Sequence, residues 1–192
     1  MIQRKAGVRG MKEKQENHTM QERECGDNLI LIGMPTSGKS TVGIILAKAL
    51  GYDFVDIDLV MQKRTGKKLR QLMDQKGIDG FLKFEEETAL SLQCRHTVIA
   101  PGGSIIYGEK AMEHLRNMGR VIYLEIDYDM LSERLHDAKN RGVTLRDGQT
   151  LEELYEERVP LYEKYADLTL SERGHALEDM VVQIVARMAA LR

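Results

Sequence analysis

Residues 33–40 of the chain read Gly33-Met34-Pro35-Thr36-Ser37-Gly38-Lys39-Ser40, the pattern G-x-x-x-x-G-K-S. An unbroken apolar run at residues 29–32 precedes it, and Val42, Ile45, Leu46 and Ala49 follow at helical spacing. A loop of this kind needs a strand buried on both faces and a helix starting at its far end, which commits the chain to a parallel sheet covered by helices. Its backbone N–H groups then converge at a helix N-terminus, where the dipole also favours negative charge. Glycine at 33 and 38 lets the backbone bend and come close to phosphate, and Lys39 is placed to reach the outer phosphates of a nucleoside triphosphate. The Ser40 hydroxyl suits Mg²⁺, which prefers oxygen ligands. Thr36, Ser37 and Thr41 complete the candidate nucleotide-binding set.

The rest of the chain supports an α/β class. Short β-rich runs at residues 54–57, 97–100, 120–126 and 168–170 alternate with helical patterns at 59–64, 78–92, 109–118 and 129–136. Thr150 and Glu153 predict a capping box that starts a further helix. A last helix is expected to bury a stripe of Leu177, Met180, Val181, Ile184, Val185 and Met188. Residues 137–149 carry three basic side chains and two glycines but little to bury, as expected of a mobile lid. Residues 1–27 are polar and free of aromatics, and read as a flexible extension ahead of one domain at 28–192.

Composition removes several classes of function. With 28 basic and 30 acidic residues the net charge is −2, so no strong field draws the chain to nucleic acid or an anionic membrane. No apolar run approaches the ~20 residues of a membrane span. Cys25 and Cys94 stand far apart without histidine at ligand spacing, as expected of reduced thiols in a cytoplasmic protein. The five histidines show no metal-site spacing either. The expected enzyme is a monomer acting on small molecules.

A P-loop fixes nucleotide chemistry but leaves the phosphoryl acceptor open. A guanine-reading N-K-x-D is absent and the chain is short, which favours a small kinase using ATP. Asp56-Ile57-Asp58 ends the second expected strand, and in an extended chain residues two apart share a face. Both carboxylates are thus expected in the crevice beyond the strand ends, where open parallel sheets bind ligands.

With this pair the chain resembles shikimate kinase over residues 28–192. The resemblance rests on the P-loop, the D-x-D, Phe81 and Glu85 of an F-x-x-x-E, Gly102-Gly103, the lid arginine region, Arg158-Val159-Pro160-Leu161-Tyr162 and Ala166-Asp167. It implies a five-stranded parallel sheet with helices on both faces, the architecture of nucleoside-monophosphate-like P-loop kinases. It implies that Asp58 and Arg158 hold the acceptor's hydroxyls and carboxylate beside Gly102 and Gly103. Asp56 then organises Mg²⁺ with Ser40, Arg134 stacks on adenine, and Arg141 closes over the phosphates. The implied reaction moves the γ-phosphoryl group of ATP onto shikimate, in aromatic amino acid biosynthesis.

The chain departs from that pattern at three places. Leu82 stands where the family carries an arginine, Ser104 where it carries a third glycine, and Gly142-Val143-Thr144 follows Arg141 in place of P-L-L. A different small hydroxylated acceptor stays open on these residues, as does a nucleotide-binding module without transfer.

Overall fold

The computed structural model describes residues 26–137, 143–174 and 176–189. Five strands form one parallel sheet: β1 (Asn28–Ile32), β2 (Asp53–Asp56), β3 (Thr97–Ala100), β4 (Gly119–Glu125) and β5 (Leu168–Ser171), in the order β2-β3-β1-β4-β5. The helices are α1 (Lys39–Leu50), α2 (Ile57–Thr65), α3 (Leu69–Leu90), α4 (Glu109–Met118), α5 (Tyr128–Asp137), α6 (Leu151–Tyr165) and α7 (Leu177–Ala189).

Alternation along the strands divides the core into two layers. Leu29 and Leu31 of β1 and Ile122 and Leu124 of β4 pack with Val42 and Leu46 of α1 and Met180 and Ile184 of α7. Ile30 and Ile32, with Val121 and Tyr123, face the opposite layer beside Met112 and Leu115 of α4 and Leu154 and Tyr162 of α6. Helices therefore cover both faces, and all five residues of β1 are buried, as the apolar run predicts. The capping box forms as expected: Thr150 N–H donates to Glu153 Oε2 at 2.8 Å, and Glu153 N–H donates to Thr150 Oγ1 at 3.1 Å.

Two expectations need correction. The second strand stops at Asp56, and Ile57 and Asp58 already belong to α2. Asp56 is the N-cap of that helix, its side chain accepting from Leu59 N–H, so the two carboxylates meet across a helix start and not along an extended strand. The helix expected from residue 78 is the second arm of α3, which begins at Leu69 and kinks at Gly77 (φ 67°, ψ 178°). Of the expected extension only Gly26 and Asp27 are described, and Arg141 and Gly142 of the expected lid lie outside the described residues.

The topology opens a crevice. From β1 the chain runs by way of α1 to β2 on one side, while β4 and β5 lie on the other, so β1 stands beside the switch point at which such sheets bind ligands. The loops after β1, β2 and β3 all emerge at that end, and a cleft of about 1300 Å³ lies between them.

Candidate active site

The loop after β1 forms the first wall. Gly38 is the N-cap of α1, and Lys39 and Ser40 open the helix. At Gly33 φ is 151°, and a Cβ there would stand 2.5 Å from Leu124 O and 2.8 Å from Ser37 Oγ, so no other residue fits the start of this loop. Thr36 takes a positive φ of 67°, a conformation rare outside glycine and common where a ligand site dictates the backbone. Thr36 Oγ1 and Ser37 Oγ are buried without a hydrogen-bond partner among the described residues. Buried hydroxyls left unpaired in a loop of this shape fit phosphate oxygens as their missing partners.

Lys39 is buried and its ammonium donates to Gly33 O at 2.9 Å and Met34 O at 2.8 Å. Burial lowers its pKa to about 8, against the opposing pull of Asp58, so the ammonium is held ready beside the loop rather than in water. Ser40 Oγ donates to Asp56 Oδ2 at 2.7 Å, while Asp56 Oδ1 caps α2. A hydroxyl and a carboxylate side by side at the rim of a phosphate loop form a hard oxygen donor pair, which fits Mg²⁺ bound partly through a nucleotide and water.

The loops after β2 and β3 form the second wall. Burial, with repulsion from Asp56, raises the Asp58 pKa to about 6, and Lys39 opposes the shift. Across from it runs the turn Gly102-Gly103-Ser104. A Cβ on Gly102 would fall on Glu85 Oε1 and stand 2.9 Å from Asp58 Oδ1, so two carboxylates crowd the face of this glycine where a side chain would be. Tyr162 OH donates to Gly103 O at 2.5 Å, and its ring stacks on Tyr123 with centroids 5.1 Å apart, which ties the turn to the core.

Arg158 on α6 is buried and lines the same cleft. Its Nε donates to Tyr107 OH at 3.2 Å and its Nη2 to Thr144 O at 3.1 Å, with the guanidinium 5.3 Å from the Tyr107 ring centroid. Its Nη1 would lie 3.3 Å from a Cβ on Gly103, so that nitrogen faces the glycine turn. At the other end of the cleft, Arg134 donates to Thr36 O at 3.0 Å and forms a two-pronged pair with Glu172 at 2.8 and 3.0 Å. These contacts place the arginine against the phosphate loop.

The structure thus gathers Gly33, Thr36, Ser37, Gly38, Lys39, Ser40, Asp56, Asp58, Gly102, Gly103, Arg134 and Arg158 around one crevice, and Thr41 lies on its rim. It does not describe Arg141. Four contributors were not singled out by the sequence pattern: Glu172, Tyr107, Leu177, which lines the nucleotide end, and Ser104 as more than a departure. Glu172 follows the last strand at the sheet's carboxyl end, the position that could have marked it.

A family model described as shikimate kinase matches residues 35–189. The chain belongs to the shikimate kinase family. The Haemophilus influenzae shikimate kinase is 38% identical over 163 residues, covering 82% of this chain and 90% of that one. That of Thermodesulfovibrio yellowstonii is 34% identical over 161 residues, with 82% and 92% covered. Among solved structures, shikimate kinase from Acinetobacter baumannii in complex with shikimate superposes with a TM-score of 0.78 at 28% identity, covering 87% of this chain and 95% of that one. Shikimate kinase from Aquifex aeolicus gives 0.74 at 32% identity, with 84% and 96% covered. Membership of the shikimate kinase family makes the chain a P-loop phosphotransferase served by ATP and Mg²⁺.

Glu85 gives this family member a pH-dependent stability. It is 1% exposed, and burial, then repulsion from Asp58, raises its pKa to about 7 from 4.5. The folded state therefore holds the proton more tightly than the unfolded chain, and ionisation destabilises the fold as pH rises from about 4.5 through about 7. A shift of this size corresponds to a loss on the order of 3 kcal/mol when complete. Urea unfolding at pH 5 and pH 8 is expected to show Glu85→Gln gaining on the wild type as pH rises; parallel pH dependences would contradict the assignment.

Proposed function

We propose that this chain transfers the γ-phosphoryl group of ATP to the 3-hydroxyl of shikimate, giving ADP and shikimate 3-phosphate, a step of aromatic amino acid biosynthesis. The observation that carries the reading is the convergence of Lys39, Asp58 and Arg158 on one cleft around the Gly102–Gly103 backbone. It sets a phosphate cation, a hydroxyl-binding carboxylate and a carboxylate-binding guanidinium around a single volume. Phosphoryl transfer asks little covalent chemistry of a protein and much positioning and charge stabilisation, which these groups supply.

The phosphate loop holds the triphosphate and Lys39 neutralises charge on its outer oxygens. Asp58 orients the acceptor hydroxyl and receives its proton, and Arg158 grips the acceptor carboxylate. Ser40 and Asp56 would hold Mg²⁺, which would supply positive charge to offset that of the phosphates. Arg134 serves the adenine end, and Arg141, in a lid near residues 137–149, adds positive charge over the phosphates. The near-neutral charge gives the chain no strong field for nucleic acid or an anionic membrane, which fits an enzyme of small metabolites, read here as a cytoplasmic monomer. No helix among the described residues is long and apolar enough to cross a membrane.

The test is ADP formation from ATP and Mg²⁺ with and without shikimate, with the phosphate ester identified by phosphorus NMR. Shikimate-dependent ADP is expected. If shikimate is silent while another hydroxylated acid is active, the acceptor assignment is overturned although the kinase chemistry stands. Arg158→Lys keeps the charge but loses the planar fork, and is expected to raise the shikimate KM about 10- to 100-fold with the ATP KM unchanged. An unaltered shikimate KM would remove Arg158 from the acceptor site.

A further inference from the structure

Glu85 is a buried carboxylate that faces the Asp58 carboxylate and, as opposing charges, Arg158 and Lys39, neither of which is hydrogen-bonded to it. Ser104 Oγ donates to its Oε2 at 2.6 Å, and its Oε1 is buried without a hydrogen-bond partner among the described residues. An arginine at position 82 would sit three residues earlier on the same helix, within reach of Glu85. The chain has Leu82 there, half-buried against a separate cavity of about 180 Å³. Lys83 is exposed and one step round the helix, about 100° away, so it does not replace that arginine.

Ser104 takes a particular place in this arrangement. It lines both the main cleft and the small cavity behind it, and is thus the partition between them. Ser104 is 4% exposed, and the turn it closes is the one whose Gly102 faces both Glu85 and Asp58. The turn is bound to α6 through Tyr162 OH and Gly103 O, and to α3 through the Ser104–Glu85 hydrogen bond. A glycine at 104 would leave the second tie without its donor. A buried carboxylate deprived of its neutral partner keeps an uncompensated desolvation cost, which the turn would relieve by moving away.

We propose that Ser104 is a positioning residue for the phosphoryl acceptor, acting through Glu85 to fix the Gly102–Ser104 turn against α3 and so replacing with a hydroxyl the anchorage that a cation at position 82 would give. This rests on the reading of the cleft as the shikimate site. Leu82 and Ser104 are then one linked change: the hydroxyl at 104 holds in place the glutamate that the residue at 82 no longer touches. Acceptor affinity depends on that hydrogen bond even though Ser104 carries no charge toward the acceptor.

The experiment has two arms on the full chain. In the kinetic arm, Ser104→Ala is expected to raise the acceptor KM about tenfold, with kcat and the ATP KM within about threefold of wild type. Ser104→Thr, which keeps the hydroxyl, is expected to stay near wild type, and Leu82→Arg with Ser104→Gly to recover affinity that Ser104→Gly alone loses. In the spectroscopic arm, the carboxyl infrared band that disappears in Glu85→Gln is titrated without acceptor. Loss of the donor in Ser104→Ala should move that titration to higher pH. An unchanged acceptor KM, or an unmoved Glu85 titration, overturns the proposal. A wild type inactive on shikimate would instead overturn the acceptor assignment; the kinetic arm is then run on the acid that the acceptor screen returns, and the titration needs no acceptor.

Discussion

Lys39→Met is expected to lower kcat by about 10³-fold or more while the protein stays folded, because it removes the cation that the loop holds for the outer phosphates. The structure adds an expectation about stability. The Lys39 ammonium is buried and its pKa falls to about 8 from 10.5 in the open chain. The folded state thus binds this proton less tightly than the unfolded chain does, and the resulting cost is fully present at pH 7, below both values. Methionine has a similar length and no charge to desolvate, though it gives up the hydrogen bonds to Gly33 O and Met34 O. The thermal midpoint of the variant at pH 7 is therefore expected to equal or exceed that of the wild type. Scanning calorimetry beside a coupled ADP assay checks both halves. Near-full turnover in the variant would remove Lys39 from the chemistry, and a collapsed midpoint would make its role structural.

The opposition of activity and stability at Lys39 is repeated across the cleft. Asp58 and Glu85 are raised mainly by burial, and Thr36 adopts a backbone conformation with positive φ. Each group is less comfortable where the fold holds it than it would be in water. Such groups are kept where a ligand later supplies the missing charge or hydrogen bond. The same logic applies to Thr36 Oγ1 and Ser37 Oγ, buried hydroxyls of the loop that lack partners among the described residues.

How much of this could be read from the chain alone follows from the range of each interaction. The phosphate loop was legible because its work is local: glycine spacing, an apolar strand before it and a helix after it all lie between residues 28 and 50. Asp56 and Asp58 were legible as a pair but not in their geometry, since whether a chain continues as strand or caps a helix turned on one hydrogen bond from Leu59 N–H. The first arm of α3 had a signal in Leu69, Leu72 and Met73 at helical spacing, but polar neighbours hid it. Glu85 sat in a run of three glutamates, and only packing against Ser104 and Gly102 separates it from the exposed Glu87. Glu172 and Tyr107 act through residues 38 and 51 positions away, a separation that no local pattern encodes.

Asp58→Asn bears most directly on the direction of the chemistry. The substitution keeps the shape and one oxygen of the side chain but cannot accept a proton at pH 7, so kcat is expected to fall about 10²- to 10⁴-fold. Binding of ATP with Mg²⁺ should change little, because Ser40, Lys39 and Asp56 keep their places around the loop. The pH profile makes the assignment specific. Burial holds the Asp58 pKa at about 6 in the ligand-free protein, so wild-type kcat/KM should fall as pH drops through that value and the carboxylate becomes protonated. In Asp58→Asn that acid limb should vanish from the residual activity. A variant retaining a tenth of the wild-type rate or more would show that the acceptor hydroxyl needs no base at this position. A variant that lost nucleotide binding would instead place Asp58 on the phosphate side of the cleft, exchanging its part with Asp56. A Cβ on Gly102 would stand 2.9 Å from Asp58 Oδ1, whereas Ser40 Oγ donates to Asp56, so loss of turnover with nucleotide binding kept is the outcome that this packing leads us to expect.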